Sequence, residues 1–223
     1  MYLLGIDTCG PSGSVALGRL AAGAVEVLTQ KELAGRTYSA ALVSAAQEVL
    51  TGKGIGLGEI GCIVVVSGPG SFTGVRVGLS AAKGLAEGAG IPVIAVSRLE
   101  VLAAKARVPS AALDAHRHEV FLRIGEPDTE TPGVRELLAG TKDLACTVAP
   151  AAIAVCDDAA GELLRSAWPA AQLHRVPPPT AADALAIAAP AAGARNFADV
   201  ALLDGHYLRR SDAEIFGNTV ARS

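Results

Sequence analysis

The 223-residue chain is short of aromatics and of charge. Phe, Trp and Tyr together make up 4% of it, with a single Trp. Charged residues make up 18% and hydrophobic ones 51%, which excludes a largely disordered chain, since so apolar a composition can offset its ordering entropy. A basic excess is missing too. The net charge is −3, so any role in nucleic-acid metabolism is expected to run through a partner. Cys9, Cys62, Cys146 and Cys156 form no C-x-x-C pair, which excludes the common zinc and dithiol motifs and predicts free thiols in a reducing cytoplasm. No uninterrupted apolar run approaches 18 residues, and Asp183 and Pro190 break the Ala-rich stretch 181–194, so no membrane span is expected. No basic region precedes the short apolar run that Asp7 interrupts, so no signal peptide is expected.

What is present is an alternation of short apolar runs. Tyr2–Asp7 reads as a buried strand, and Cys9-Gly10-Pro11-Ser12-Gly13 as a turn. Ser14–Arg19 and Val25–Thr29 complete a three-strand meander. Tyr38, Leu42, Ala45, Ala46 and Val49 recur at helical spacing and predict a helix over Thr37–Thr51. The β-branched run Ile60–Val66 predicts a central strand buried on both faces. A helix over Phe72–Gly88, a strand over Val93–Val96 and a helix ending near Arg107 follow. Ser97 and Glu100 are placed to form a capping box for that last helix. After Pro109 the pattern restarts, with strands at Ala111–Asp114, His118–Ile124, Val134–Leu138 and Ile153–Cys156. Val176–Thr180 reads as a rigid connector, and Thr180 can cap a helix from Ala181 to about Ala189, which Pro190 ends or kinks. The economical architecture is α/β, two meander-plus-helix halves facing each other. The expected division is 1–107 and 108–199, with 200–223 packing back on the first unit.

Ser67-Gly68-Pro69-Gly70-Ser71-Phe72-Thr73-Gly74-Val75-Arg76 is the most informative segment. It is a glycine-rich loop between a strand and a helix, where free amides can cradle an anion. Neither common phosphate motif fits. The glycines at 68, 70 and 74 are spaced G-x-G-x-x-x-G, and no G-x-x-x-x-G-K-[ST] exists. A tight strand-to-helix turn is the plainer reading, and Asp7, Thr8, Gly68, Gly70 and Ser71 are the candidate anion or nucleotide contacts. Gly74, Gly78 and Gly84 lie inside the following helix at about 1 kcal/mol each relative to Ala, so something must compensate. Gly74, Gly78 and Ala82 share one face, a smooth surface for internal packing or for a second polypeptide. In the second reading, Val77, Ala81 and Leu85 face the core. Asp114 opens a turn like that of Asp7. His116 and His118 share a strand face but lack a third ligand, so no metal site is expected. No nucleophile–base pair is readable.

The run SGPGSFTGVR over 67–76, the Ile6-Asp7-Thr8 start and the segment Val96-Ser97-Arg98-Leu99-Glu100 together resemble the bacterial TsaB (YeaZ) family. Asp114-Ala115, Glu119-Val120-Phe121 and Tyr207-Leu208-Arg209 resemble its later segments in the same order. The resemblance implies an actin-like (sugar kinase/Hsp70-type, ribonuclease H-like) fold of two subdomains. It also implies a cytoplasmic, non-catalytic role in making threonylcarbamoyladenosine in tRNA. The implied partners are the catalytic paralogue TsaD, the ATPase TsaE and a second copy of the chain. The tRNA is reached only through the complex, and no cofactor is required by this subunit, although ATP or ADP can enter the complex. The implied pairing surface is the first and second helices, with Tyr38, Leu42, Ala45, Ala46, Val49, Gly74, Val75, Gly78 and Ala82 as its candidates. Where TsaD carries a metal-binding H-x-x-x-H, this chain reads Tyr38-Ser39-Ala40-Ala41-Leu42, without histidine. Family members usually have His-Ser-Glu at 38–40 and Arg at 116, so the chain departs there. An ATP-dependent phosphotransferase of the actin-like class remains the alternative, and a glycoprotease-type peptidase ranks last.

Overall fold

A computed structural model describes residues 1–35, 37–125 and 133–209. Its strands form two five-stranded mixed sheets that repeat one topology. In the first, β1 (Tyr2–Asp7) pairs antiparallel with β2 (Gly13–Ala21), which pairs with β3 (Ala24–Leu33). On its other side β1 runs parallel to β4 (Ile60–Val66), and β4 to β5 (Val93–Val96). In the second, β6 (Ser110–Asp114) takes the place of β1. It pairs antiparallel with β7 (Glu119–Ile124), which leads to β8 (Arg135–Gly140), and parallel with β9 (Ala152–Val155), which leads to β10 (Gln172–Arg175).

Helices cover both faces of the first sheet, which is why β4 is apolar throughout and β1 is apolar up to its last residue, Asp7. Side chains alternate along β1, so Ile6 and Gly5 point to opposite faces. Ile6 meets Gly78 of α2 (Phe72–Ala89), beside which lies α1 (Tyr38–Thr51). A Cβ added to Gly5 would instead meet the Ala181 carbonyl at 2.8 Å and Leu185 at 3.0 Å, both in α6 (Ala181–Gly193). The small residues Ala181, Ala184, Ala188 and Ala192 let α6 lie close to the sheet, and all are buried. In the second unit α4 (Thr141–Ala145) and α5 (Asp158–Ala167) flank the sheet, and Trp168 closes its core by donating to the Leu144 carbonyl at 3.0 Å.

Three expectations need correction. First, α6 falls inside the expected second unit, yet its buried residues belong to the first core. Thr180 caps it as expected, but it runs through Pro190 to Gly193. Second, α3 (Arg98–Ala106) sits between the two units. Val101 packs in the first core, whereas Leu99, Leu102 and Ala103 pack with Ala111, Leu113 and Phe121 of the second sheet. Third, residues 198–209 contact both units rather than the first alone. The Ala198 amide donates to the Val93 carbonyl at 2.8 Å, while Arg209 pairs with Glu119. The expected tail 210–223 lies outside the described residues. The sequence reading also missed α4, α5 and β10. Asp157 gave a visible start signal for α5, since its carboxylate accepts from the Ala160 amide at 2.7 Å.

Candidate functional site

The first subdomain's informative loop starts where β4 ends. The Ser67 amide donates to the Val96 carbonyl at 3.0 Å, and Gly68 takes φ +109°, a conformation that only glycine adopts without strain. Its carbonyl accepts from the Arg98 amide at 2.7 Å, which joins the loop to α3. The Ser71 amide then donates to the Cys9 carbonyl at 2.9 Å, and the Ser71 hydroxyl caps α2 by accepting from the Gly74 amide at 3.3 Å. The Thr8 hydroxyl donates to the Gly74 carbonyl at 2.6 Å, and the Asp7 carboxylate accepts from the Cys9 amide at 2.9 Å.

Asp7, Thr8, Gly70 and Ser71 therefore converge as the sequence suggested, with Gly68 two residues away, but they form a packed junction and no open cradle. The Asp7 carboxylate, the Thr8 hydroxyl and the Ser71 amide are bonded to the chain itself, and Asp7 and Thr8 are 1% and 0% exposed, although the Ser71 side chain lies at the surface. A Cβ on Gly70 would overlap the Cys9 carbonyl, so the glycine is there for close packing of loop on turn. Burial pushes the Asp7 carboxyl above its ordinary value, with Arg98 pulling it back. Burial likewise pushes the Cys9 thiol well up. Asp114 lies in the second subdomain, where its amide donates to Asp157 at 3.1 Å and its carboxylate accepts from the His116 amide at 2.8 Å. His116 and His118 are exposed on a turn whose residues 116–118 all have φ near +60°. Among the described residues, no group of three or more His, Cys, Asp or Glu could hold a metal ion.

The assigned contact face must be turned around. Tyr38, Leu42, Ala45, Ala46, Val49, Gly74, Val75, Gly78 and Ala82 are all buried in the chain's own first core. The physical reason lies in the glycines. A Cβ on Gly74 would overlap the Thr8 carbonyl oxygen, and one on Gly78 would overlap the Thr8 hydroxyl. The propensity lost in α2 is thus recovered by close approach of the helix to the end of β1. Gly84 is exposed with nothing within 4 Å. Val77, Ala81 and Leu85, expected to face the core, do pack against it but stay half-buried, and Val77 and Ala81 also line a shallow groove of about 430 Å3 between α1 and α2. Tyr38, Leu42 and Val43 form its other wall, and Arg76 lies at its edge. Tyr38 reaches from the groove to the β1–β2 turn, where its hydroxyl donates to the Gly10 carbonyl at 2.8 Å. Val43 is 58% exposed and carries the groove's apolar wall out to solvent.

A second cluster was not legible in the sequence. Ser97 caps α3 by accepting from the Leu99 amide at 3.2 Å, but its expected capping-box partner Glu100 is not engaged with it. Instead the Ser97 hydroxyl donates to Glu136 of β8 at 2.7 Å. Arg123 of β7 donates to the same carboxylate at 2.7 Å, and His206 Nε2 lies 2.8 Å from it. Burial alone would raise the Glu136 carboxyl, but the contacts of His206, Ser97 and Arg123 outweigh it and hold the group below its ordinary value. No local pattern announces a cluster drawn from four separate segments.

Two sheets of matching topology with a helix shared between them define an actin-like, ribonuclease H-like fold of two subdomains. Residues 24–132 match the family described as TsaD: tRNA N6-adenosine threonylcarbamoyltransferase. The chain is 41% identical over 127 residues to the tRNA threonylcarbamoyladenosine biosynthesis protein TsaB of Haemophilus influenzae, covering 54% of this chain and 52% of that one. It is 39% identical over 127 residues to the TsaB of Escherichia coli, covering 54% and 53%. The chain thus spans about half the length of these curated relatives in the match. A Pseudomonas aeruginosa structure described as an uncharacterized protein with similarity to peptidase YEAZ superimposes with a TM-score of 0.76 at 25% identity, covering 93% of this chain and 99% of that one. Over these matched stretches the chain is similar to TsaB (YeaZ) proteins. None of its described helices is long and apolar enough to cross a membrane.

Proposed function

We propose that this chain is a non-catalytic partner subunit in the biosynthesis of threonylcarbamoyladenosine in tRNA, pairing with a TsaD-type paralogue through the α1–α2 groove. The observation that carries this reading is the groove itself. Exposed Val43 and half-buried Val77 and Ala81 stand on two adjacent helices, an apolar strip with Arg76 at its edge. Such a strip fits a helix pair from another polypeptide, which would cover the apolar residues and supply a carboxylate for Arg76. A second copy of the chain can use the same strip, so self-association and pairing compete for it. TsaE and ATP or ADP join at the level of the complex, and tRNA is met there, in the cytoplasm. The non-catalytic role is supported by the internal bonding of Thr8, whose buried hydroxyl is spent on the Gly74 carbonyl. The same bonding weighs against the phosphotransferase alternative.

The test is sedimentation of the chain alone and mixed with the TsaD of the same organism at micromolar concentration. Val43→Asp with Ala81→Glu should abolish the mixed complex and the self-association. It should change the free energy of unfolding by no more than about 1 kcal/mol, because Val43 is exposed and Ala81 only half-buried. A complex that survives this double substitution would refute the assignment of the groove.

A further inference from the structure

We propose that the segment Asp204–Arg209 is a strap that latches the two subdomains together, with Glu136 as the keeper. It holds whether or not the α1–α2 groove takes a partner. The segment crosses the junction and is gripped from both sides. From the first subdomain, the Ser67 carbonyl accepts from the His206 amide at 2.8 Å, and the Phe72 ring stacks on Tyr207 with centroids 5.2 Å apart and planes 12° apart. A Cβ on Gly68 would meet the His206 carbonyl at 3.1 Å, so the loop is shaped to receive the strap. From the second, the Glu136 carboxylate stands 2.8 Å from His206 Nε2, and Glu119 pairs with Arg209.

The grip is polar at its centre. The Glu136 side chain is 8% exposed, so its contacts with His206, Arg123 and Ser97 lie where water screens them little. Ser97 sits at the end of β5 in the first subdomain, whereas Glu136 and Arg123 come from the second. One carboxylate therefore ties the strap to the first subdomain's last strand and to the second sheet. Removing its charge should free the strap without opening either core. Tyr207 would then leave Phe72 at the first turn of α2, and Arg76, which lies 5.7 Å from both rings, would lose part of its support at the groove edge.

Hydrogen exchange on the full chain, read residue by residue at fixed pH, tests the latch. In Glu136→Gln and in His206→Ala, the amide of residue 206 should exchange about tenfold faster or more, because the 2.8 Å contact of His206 with the Glu136 carboxylate is lost or weakened. Amides of β1 and β4 should keep their wild-type rates. Phe72→Leu removes the stacking and leaves the carboxylate cluster whole, so it should speed the same amide by about twofold or somewhat more, and by less than His206→Ala does. His206→Ala decides the matter if Glu136→Gln does not fold, since it leaves the Arg123–Glu136 pair intact. Unchanged exchange at residue 206 would overturn the proposal. So would an equal rise across both cores, or release by Phe72→Leu as large as by His206→Ala.

Discussion

Gly74→Ala is the substitution on which the reading of α2 turns. The added methyl would overlap the Thr8 carbonyl oxygen and stand 3.1 Å from its carbon, so α2 must withdraw from β1 by something on the order of 1 Å. Overpacking of this kind costs about 1–3 kcal/mol. The withdrawal also breaks the 2.6 Å bond from the Thr8 hydroxyl to the Gly74 carbonyl. Leaving that buried hydroxyl without a partner costs about 1–3 kcal/mol more. Alanine's better helix propensity returns about 1 kcal/mol. The net loss is about 3 kcal/mol, or a melting point lower by roughly 6–12 °C for a chain of this size. Thermal and urea unfolding followed by circular dichroism would measure it. Gly84→Ala is the counterpart in the same helix. That position is exposed with open space around it, so the variant should gain up to about 1 kcal/mol. If Gly74→Ala costs less than about 0.5 kcal/mol, the glycine face is not pressed against β1 and the account of α2 fails.

Leu102→Ala should destabilise the chain by about 2–5 kcal/mol in urea, since Leu102 is fully buried where α3 meets the second sheet; a loss under 1 kcal/mol would mean the helix is loosely held. The acid dependence of stability should separate two carboxyls of opposite sign. Glu136 is held below its ordinary 4.5, so its contribution is complete above pH 4.5 and fades as pH falls through the lower folded value. Asp7 is raised above its ordinary 3.8, so stability is lost from this group as pH rises from 3.8 through the folded value. Urea midpoints across that range should show Glu136→Gln losing its deficit relative to wild type in acid. They should show Asp7→Asn gaining on wild type toward neutral pH, and curves parallel to wild type in both variants would refute the assignments.

The parts of the fold carried by local pattern were legible. Helix α1 was expected over Thr37–Thr51 and α2 over Phe72–Gly88; they run Tyr38–Thr51 and Phe72–Ala89. The meander repeated after Pro109 was legible as β6, β7 and β8, whereas β10 (Gln172–Arg175) was not, because it is short and polar and announces itself by nothing but its partner β9. The direction of the glycine face was not legible at all. Spacing puts Gly74, Gly78 and Ala82 on one side of α2, but whether that side meets the chain's own β1 or another molecule depends on where α1 lies. The eventual groove residues Val77 and Ala81 have the same spacing as a core stripe, and the two cannot be told apart without the neighbouring helix. The Glu136 cluster draws on residues 97, 123, 136 and 206, so no window of sequence contains it.

The position of α6 sets an order of events. This helix is made late in the chain, yet it covers the face of β1 and β2 toward which Gly5 and Gly18 point. As the polypeptide leaves the ribosome, the first sheet can be complete at Val96 while that face is still bare to water. At about 5–20 residues per second, α6 follows the end of α3 by roughly 4–17 s. Throughout that interval a wide apolar surface stands open to chaperones and to other nascent chains. A fragment ending near residue 107 would stay in that condition permanently.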